Sequence, residues 1–213
     1  MQTRYETEKF EKAVKERTLR LQRAIETTIQ DIAAMVEVRD PYTVGHQKRV
    51  GDMAMVIASQ MGLPALRLEG IKMAGIVHNL GMIHIPVEMF SKEGKLTEIE
   101  FEIIKTHPQV GYDLLKHIEF PWPIAQMVLQ HHEMIDGSGY PQGLKGEEIM
   151  LEARILAVAD LVDAMSSPRP HRPVLGIEKI LGEINKNKGR LYDPEVVDAY
   201  LKIFEQGYKP PEV

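Results

Sequence analysis

The sequence predicts an all-α domain. Apolar residues recur at steps of three and four through most of the chain, period-two alternation is nearly absent, and Gly/Pro clusters separate the periodic stretches. The first stretch, residues 6–37, contains no Gly or Pro and sets Val14, Thr18, Leu21, Ile25, Thr28, Ile32 and Met35 at alternating steps of four and three. That spacing is the seam of a long helix, either lying on its own domain or pairing with a second copy in a parallel coiled coil. Arg39-Asp40-Pro41 breaks the pattern.

Helix follows helix after that break. Residues 43–61 put Val50, Ala54, Ile57 and Met61 on one face, and Gly62-Leu63-Pro64 ends the run. Residues 65–79 form a second amphipathic stretch ending near Gly81. Thr97 with Glu100 is a capping-box signature, opening a helix expected to stop near His107-Pro108. Pro123 suits the first turn of a helix reaching His132, and a Gly/Pro-rich loop, Asp136 to Gly146, follows it. Residues 150–165 are apolar almost all round, which marks a central, buried helix. Pro168 to Pro173 interrupts the chain, and helices over 174–187 and 194–205 close it.

Composition bounds the function. A chain of 213 residues with 44% hydrophobic and 27% charged residues is long enough for one globular core and excludes a disordered polymer. The net charge of -5 argues against DNA or RNA as partner. No apolar run is long enough to span a bilayer, and no signal-like segment opens the chain, so a cytoplasmic protein is expected. With no cysteine, disulfides, thiol nucleophiles and thiolate metal sites are excluded.

Histidine placement carries the chemistry. His46 lies on the face of Val50 and Ala54, His78 on that of Ile71 and Ala74, and His131 on that of Ile124 and Val128, with His132 beside it. Asp160 sits one turn from Leu156 in the most apolar helix, and His107 stands close enough to a helix end to join them. A lone inward histidine is ordinarily a hydrogen-bonded core residue. Several of them facing an inward aspartate point instead to divalent metal, because a buried carboxylate without a partner is costly.

The order of motifs is similar to that of the HD-GYP family. It runs Arg39-Asp40, Thr43, His46, Arg49-Val50, then His78-Asn79-Leu80-Gly81, His107-Pro108, His131-His132-Glu133, Asp136-Gly137-Ser138-Gly139-Tyr140-Pro141-Gln142-Gly143-Leu144, Ala153-Arg154-Ile155, Asp160, Asp163-Ala164 and Arg169-Pro170. The resemblance covers about residues 30–204. It implies a helical HD-superfamily bundle over 39–205; the periodicity before it makes 1–38 a helix that serves as linker or dimerisation segment, and residues 206–213 form a tail. It also implies a phosphodiesterase of cyclic di-GMP signalling, with His46, His78, Asn79, His107, His131, His132 and Asp160 holding two divalent ions, Fe or Mn, or a single ion. A hydroxide bridging the ions would attack the phosphodiester in line. Gly139, Tyr140 and Pro141 match the family's substrate-side loop, and Arg169 and Arg172 match cations that approach the substrate phosphates. His84, His117 and His171 match no ligand position.

Two departures fall in one motif. Where the family has His-Asp-x-Gly-Lys, this chain has Asn79 and Met82 at the catalytic positions. Asn is a neutral, poor bridge between dications, and Met offers the phosphate neither charge nor donor. Tyr42 stands where some relatives carry a Glu for a third metal. The resemblance therefore implies a slow cyclic di-GMP phosphodiesterase, and the four-and-three spacing of residues 10–36 predicts a homodimer through the first helix. The other reading is a degenerate nucleotide-binding sensor.

Overall fold

The computed structural model describes residues 2–39, 44–90, 92, 94, 96–167 and 176–208. Among them helix is the only regular structure, with two isolated bridges (Asp136 with Lys145, Lys188 with Tyr192) and no strand. The helices are α1 (Gln2–Glu37), α2 (His46–Gln60), α3 (Ala65–Val77), α4 (Glu98–Ile104), α5 (His107–Leu115), α6 (Ile124–Gln130), α7 (Leu151–Ser166), α8 (Ile177–Asn187) and α9 (Pro194–Glu205). A short 3-10 helix, Leu80–His84, follows α3.

The buried helix expected over 150–165 is α7. Ala153, Ile155, Val158, Ala159 and Val162 are fully enclosed, and α2, α6, α8 and α9 pack around them. Helices α2 and α3 cross closely because glycine meets glycine there. A Cβ on Gly75 would fall 2.5 Å from the Gly51 Cα, so the crossing admits no side chain.

Local chemistry explains the boundaries that differ from expectation. The Thr97–Glu100 capping box is present, but its helix ends at Ile104. His107-Pro108 begins a new helix, α5, instead of ending the old one. Proline at the second helical position costs nothing there, since first-turn N–H groups have no intrahelical partner. Pro123 is the N-cap of α6 rather than a first-turn residue, and α6 stops at Gln130 with His131 as its C-cap. Helix α2 starts at His46, α3 ends at Val77 and α8 starts at Ile177.

Helix α1 divides into two parts. Ile29, Ala33 and Val36 are buried and belong to the main core, against α3 and the 3-10 helix. Val14, Leu21, Ile25, Ile32 and Met35, on the four-three seam, are each at least 40% exposed. Only the end of α1 lies on the domain, and it does so with a different face.

Candidate metal centre

Each imidazole of the centre sits at a helix terminus. His46 opens α2, His78 caps the end of α3, His107 opens α5, His131 caps α6, and His132 follows it. Asp160 alone projects from mid-helix, on α7. The termini converge into two trios, His46–His78–Asp160 and His107–His131–His132, whose ligand atoms lie within 4.8 Å of one another in each. The trios adjoin through His78 and His131, with ring centroids 5.1 Å apart. Sequence reasoning named all six residues; the division into trios comes from the fold.

Hydrogen bonds fix which ring nitrogens are free. Nδ1 of His78 donates to the Gly75 carbonyl (2.6 Å), Nδ1 of His107 to Ile104 (2.7 Å) and Nδ1 of His131 to Val128 (2.6 Å). A carbonyl only accepts, so each of these Nδ1 atoms carries a proton, which leaves Nε2 as the ligand atom of each ring. The Nε2 atoms of His107 and His131 face each other at 3.3 Å. His78 Nε2 is buried without a hydrogen-bond partner. Burial, reinforced by the neighbouring imidazoles, lowers His107 to about 3 and His131 well below the ordinary histidine value, so protons do not relieve this. Burial likewise brings His132 down to about 4. Ring nitrogens pointed at one another in a largely buried site fit a bound cation, and imidazole nitrogen with carboxylate oxygen is a donor set for a transition dication.

His46 differs. Its Nδ1 meets Asp163 at 2.7 Å and its Nε2 meets Asp160 at 3.1 Å. Burial alone would lower its pKa, but the two carboxylates outweigh burial and raise it to about 9. Asp160 is held well below the usual carboxylate range against the opposing effect of burial, by the imidazoles of His46 and His78 together. Metal-free, the His46 Nε2 proton thus neutralises Asp160, and a dication would take its place.

The sequence reading gave no role to several residues that build this arrangement. Asp163 orients His46 and also accepts from Arg49 Nε at 2.7 Å and Nη2 at 3.1 Å. Its sequence signal was its place three residues after Asp160 on the same buried helix. At the end of α1, Glu37 accepts from the Gly45 N–H (2.8 Å), just before His46. Arg39 donates to the carbonyls of Ile83 and, at 2.9 Å, Ile85. Glu133 is buried, and its carboxylate accepts from the N–H groups of Gln142 (2.6 Å) and Leu144 (3.0 Å), so it holds the Gly-Tyr-Pro loop by its backbone.

That loop returns to the centre. Tyr140 stacks on His132 with centroids 4.8 Å apart, and its N–H donates to the His132 carbonyl. Gly139 makes the approach possible, since a Cβ there would lie 2.5 Å from both Glu133 Cα and the His132 carbonyl oxygen. Gly139→Ala should therefore destabilise the domain by about 1–3 kcal/mol, the usual range for overpacking against unyielding neighbours. Denaturant unfolding at matched metal content checks this.

Asn79 follows His78 at the start of the 3-10 helix, and Met82 packs against the hydrophobic core. His84 and His117 are exposed. Arg169, Arg172 and His171 lie outside the described residues, as do Asp40, Tyr42 and Thr43.

A family model for the HD domain matches residues 28–196. The chain belongs to the HD-domain family. This HD domain is of the HD-GYP type that its motif string resembles. It is 42% identical over 177 residues, 82% of the chain, to the cyclic di-GMP phosphodiesterase response regulator RpfG of Xanthomonas campestris pv. campestris, and covers 47% of that protein. Among solved structures, Bd1817, an HD-GYP protein of Bdellovibrio bacteriovorus, matches with a TM-score of 0.63 at 16% identity, over 75% of this chain and 51% of that one. The cyclic GMP-AMP-specific phosphodiesterase V-cGAP3 of V. cholerae matches with a TM-score of 0.53 at 28% identity, over 83% of this chain and 40% of that one. The HD domain spans about half the length of the curated relatives it matches. Among the described residues, no helix is long and apolar enough to cross a membrane.

Proposed function

We propose that this HD domain is a metal-dependent phosphodiesterase acting on cyclic di-GMP or a closely related cyclic dinucleotide, slowed by Asn79 and Met82. The observation that carries the reading is the facing pair of Nε2 atoms of His107 and His131, 3.3 Å apart beside the His46–His78–Asp160 trio, with both Nδ1 atoms turned to backbone carbonyls. The identity to a cyclic di-GMP phosphodiesterase supports the substrate class. His46, His78 and Asp160 hold one ion and His107, His131 and His132 the other, with Asn79 alongside, and Fe or Mn suits both sets. When bound, such ions supply Lewis acidity to a phosphodiester and lower the pKa of a coordinated water.

The chain's own residues prepare the reaction. The Nδ1 hydrogen bonds lock each ring so that Nε2 faces inward, and Asp163 with Arg49 does the same for His46. Tyr140, fixed on His132, offers a flat wall for the substrate, and Arg169 and Arg172 supply cations to its phosphates. Asp160 is the single carboxylate of the two trios. Two dications would be under-neutralised with Asn79 in place of a bridging Asp, which is the physical reason to expect slow turnover. Incubation with cyclic di-GMP and Mn(II) or Fe(II), followed by chromatography, should show a linear dinucleotide or GMP. Binding without any product would favour the sensor reading.

The domain acts as a cytoplasmic homodimer in this proposal, the cysteine-free composition being in keeping with a reducing compartment. The exposed seam of α1 is the pairing surface, and a second copy in parallel register covers it. Because Ile29, Ala33 and Val36 belong to the core, a truncation that tests this must end before Ile29. Removing residues 1–27 should convert a dimer to a folded monomer by light scattering. A truncated chain that still dimerises places the interface elsewhere.

A further inference from the structure

Beside the metal centre, α4, α5 and the Gly-Tyr-Pro loop enclose a cleft of about 470 Å³ whose lining includes Glu102, Lys105, Gln109, Val110, Tyr140 and Pro141. One wall is aromatic. Tyr140 stands edge-on to Phe101 with centroids 6.5 Å apart, and it stacks on His132 of the second trio. The cleft therefore adjoins the second trio across the Tyr140 ring. Lys105 Nζ lies 5.0 Å from the Phe101 centroid and 5.9 Å from that of Tyr140, and it pairs with Glu102 at 2.5 Å.

A surface ion pair three residues apart on a helix contributes little by itself. This pair stands at an aromatic wall, with an ammonium and a carboxylate side by side. Met82 provides no cation and packs on the core. Guanine is the base whose edge matches such a pair. Its O6 and N7 accept, and its adjoining N1–H and N2–H groups donate. Adenine in the same place turns a lone pair at N1 toward the carboxylate and an amino donor toward the ammonium. We infer that the Glu102–Lys105 pair, with the Tyr140 wall, is a base subsite that selects guanine over adenine in a cyclic dinucleotide.

Lys105 donates to O6 and Glu102 accepts from N1–H and N2–H, while the base packs on the aromatic wall, a contact any purine can make. Discrimination thus rests on the two charges. A site with polar groups set for one hydrogen-bond pattern rejects the other because those groups are left unpaired. The inference rests on the proposed function, since it assumes a cyclic dinucleotide at the centre.

Isothermal titration of the full chain with cyclic di-GMP and with cyclic di-AMP tests it. The parent should favour cyclic di-GMP at least about tenfold, a cautious floor on the discrimination such sites achieve. Glu102→Gln and Lys105→Met should each erase most of that preference by weakening cyclic di-GMP. Melting temperatures should stay at the parent's, because both side chains are partly solvated in the free protein. A parent that prefers cyclic di-GMP, with variants that keep its affinity and preference, overturns the subsite and leaves the proposed function standing. A parent that binds both equally also overturns the subsite alone. A parent that binds neither overturns the proposed function and the subsite with it.

Discussion

Asp160→Ala should empty the metal centre. The two trios contain five imidazoles and one carboxylate, and that carboxylate lies 3.1 Å from His46 Nε2 and 3.6 Å from His78 Nε2. Without it, a dication would meet only imidazoles in a largely buried site, and desolvation would go uncompensated. Elemental analysis should find most of the parent's metal gone. A ligand present at a hundred times its dissociation constant stabilises a fold by about 2.7 kcal/mol. For a chain of this size, losing that amount lowers the melting temperature by roughly 5–10 °C. The drop should shrink when parent and variant are both stripped with chelator, which separates metal linkage from damage to the fold. Metal content equal to the parent's would show that the ions, if any, are held elsewhere.

Restoring the signature motif should raise turnover. Asn79→Asp adds a negative charge beside His78, where Asp160 is otherwise the single carboxylate of the trios. Met82→Lys adds a cation to assist the charge gathering on the phosphate oxygens. Met82 is partly buried against the core, and a lysine stem can cover the same apolar surface while its ammonium reaches solvent. Removing one such electrostatic donor commonly costs about 10²–10³ in rate. The double variant should therefore hydrolyse cyclic di-GMP at least about tenfold faster than the parent, a floor on that scale. Affinity for the nucleotide should change less, since Tyr140, Arg169 and Arg172 are untouched. Equal rates in parent and variant would mean that the centre tolerates Asn79 and Met82 as they are.

The sequence was legible where function and periodicity coincide. His46, His78, His131 and Asp160 stood out because a polar residue on an otherwise apolar helical face demands a partner. The motif string added Asn79 and Met82 as departures, and those departures shape the expected rate. Less legible was α5, because Pro108 reads as a stop in a pattern search. The same proline is a start in the fold, where it occupies a position needing no N–H. Asp163, Arg49 and Glu133 were present in the motifs without roles, since a hydrogen bond between residues 46 and 163 leaves no trace in local spacing.

The sequence by itself determined the helical class, the absence of thiol chemistry, the set of metal-seeking side chains and the apolar seam of the first helix. These follow from composition and from periodicities of three to four residues, which are properties of the chain over a few turns. Only the tertiary structure decided that six candidate ligands fall into two trios, that three rings turn Nε2 inward, and that the seam of α1 faces away from its own domain. Each of those depends on where helix ends remote in sequence come to rest, and packing around α7 sets those positions.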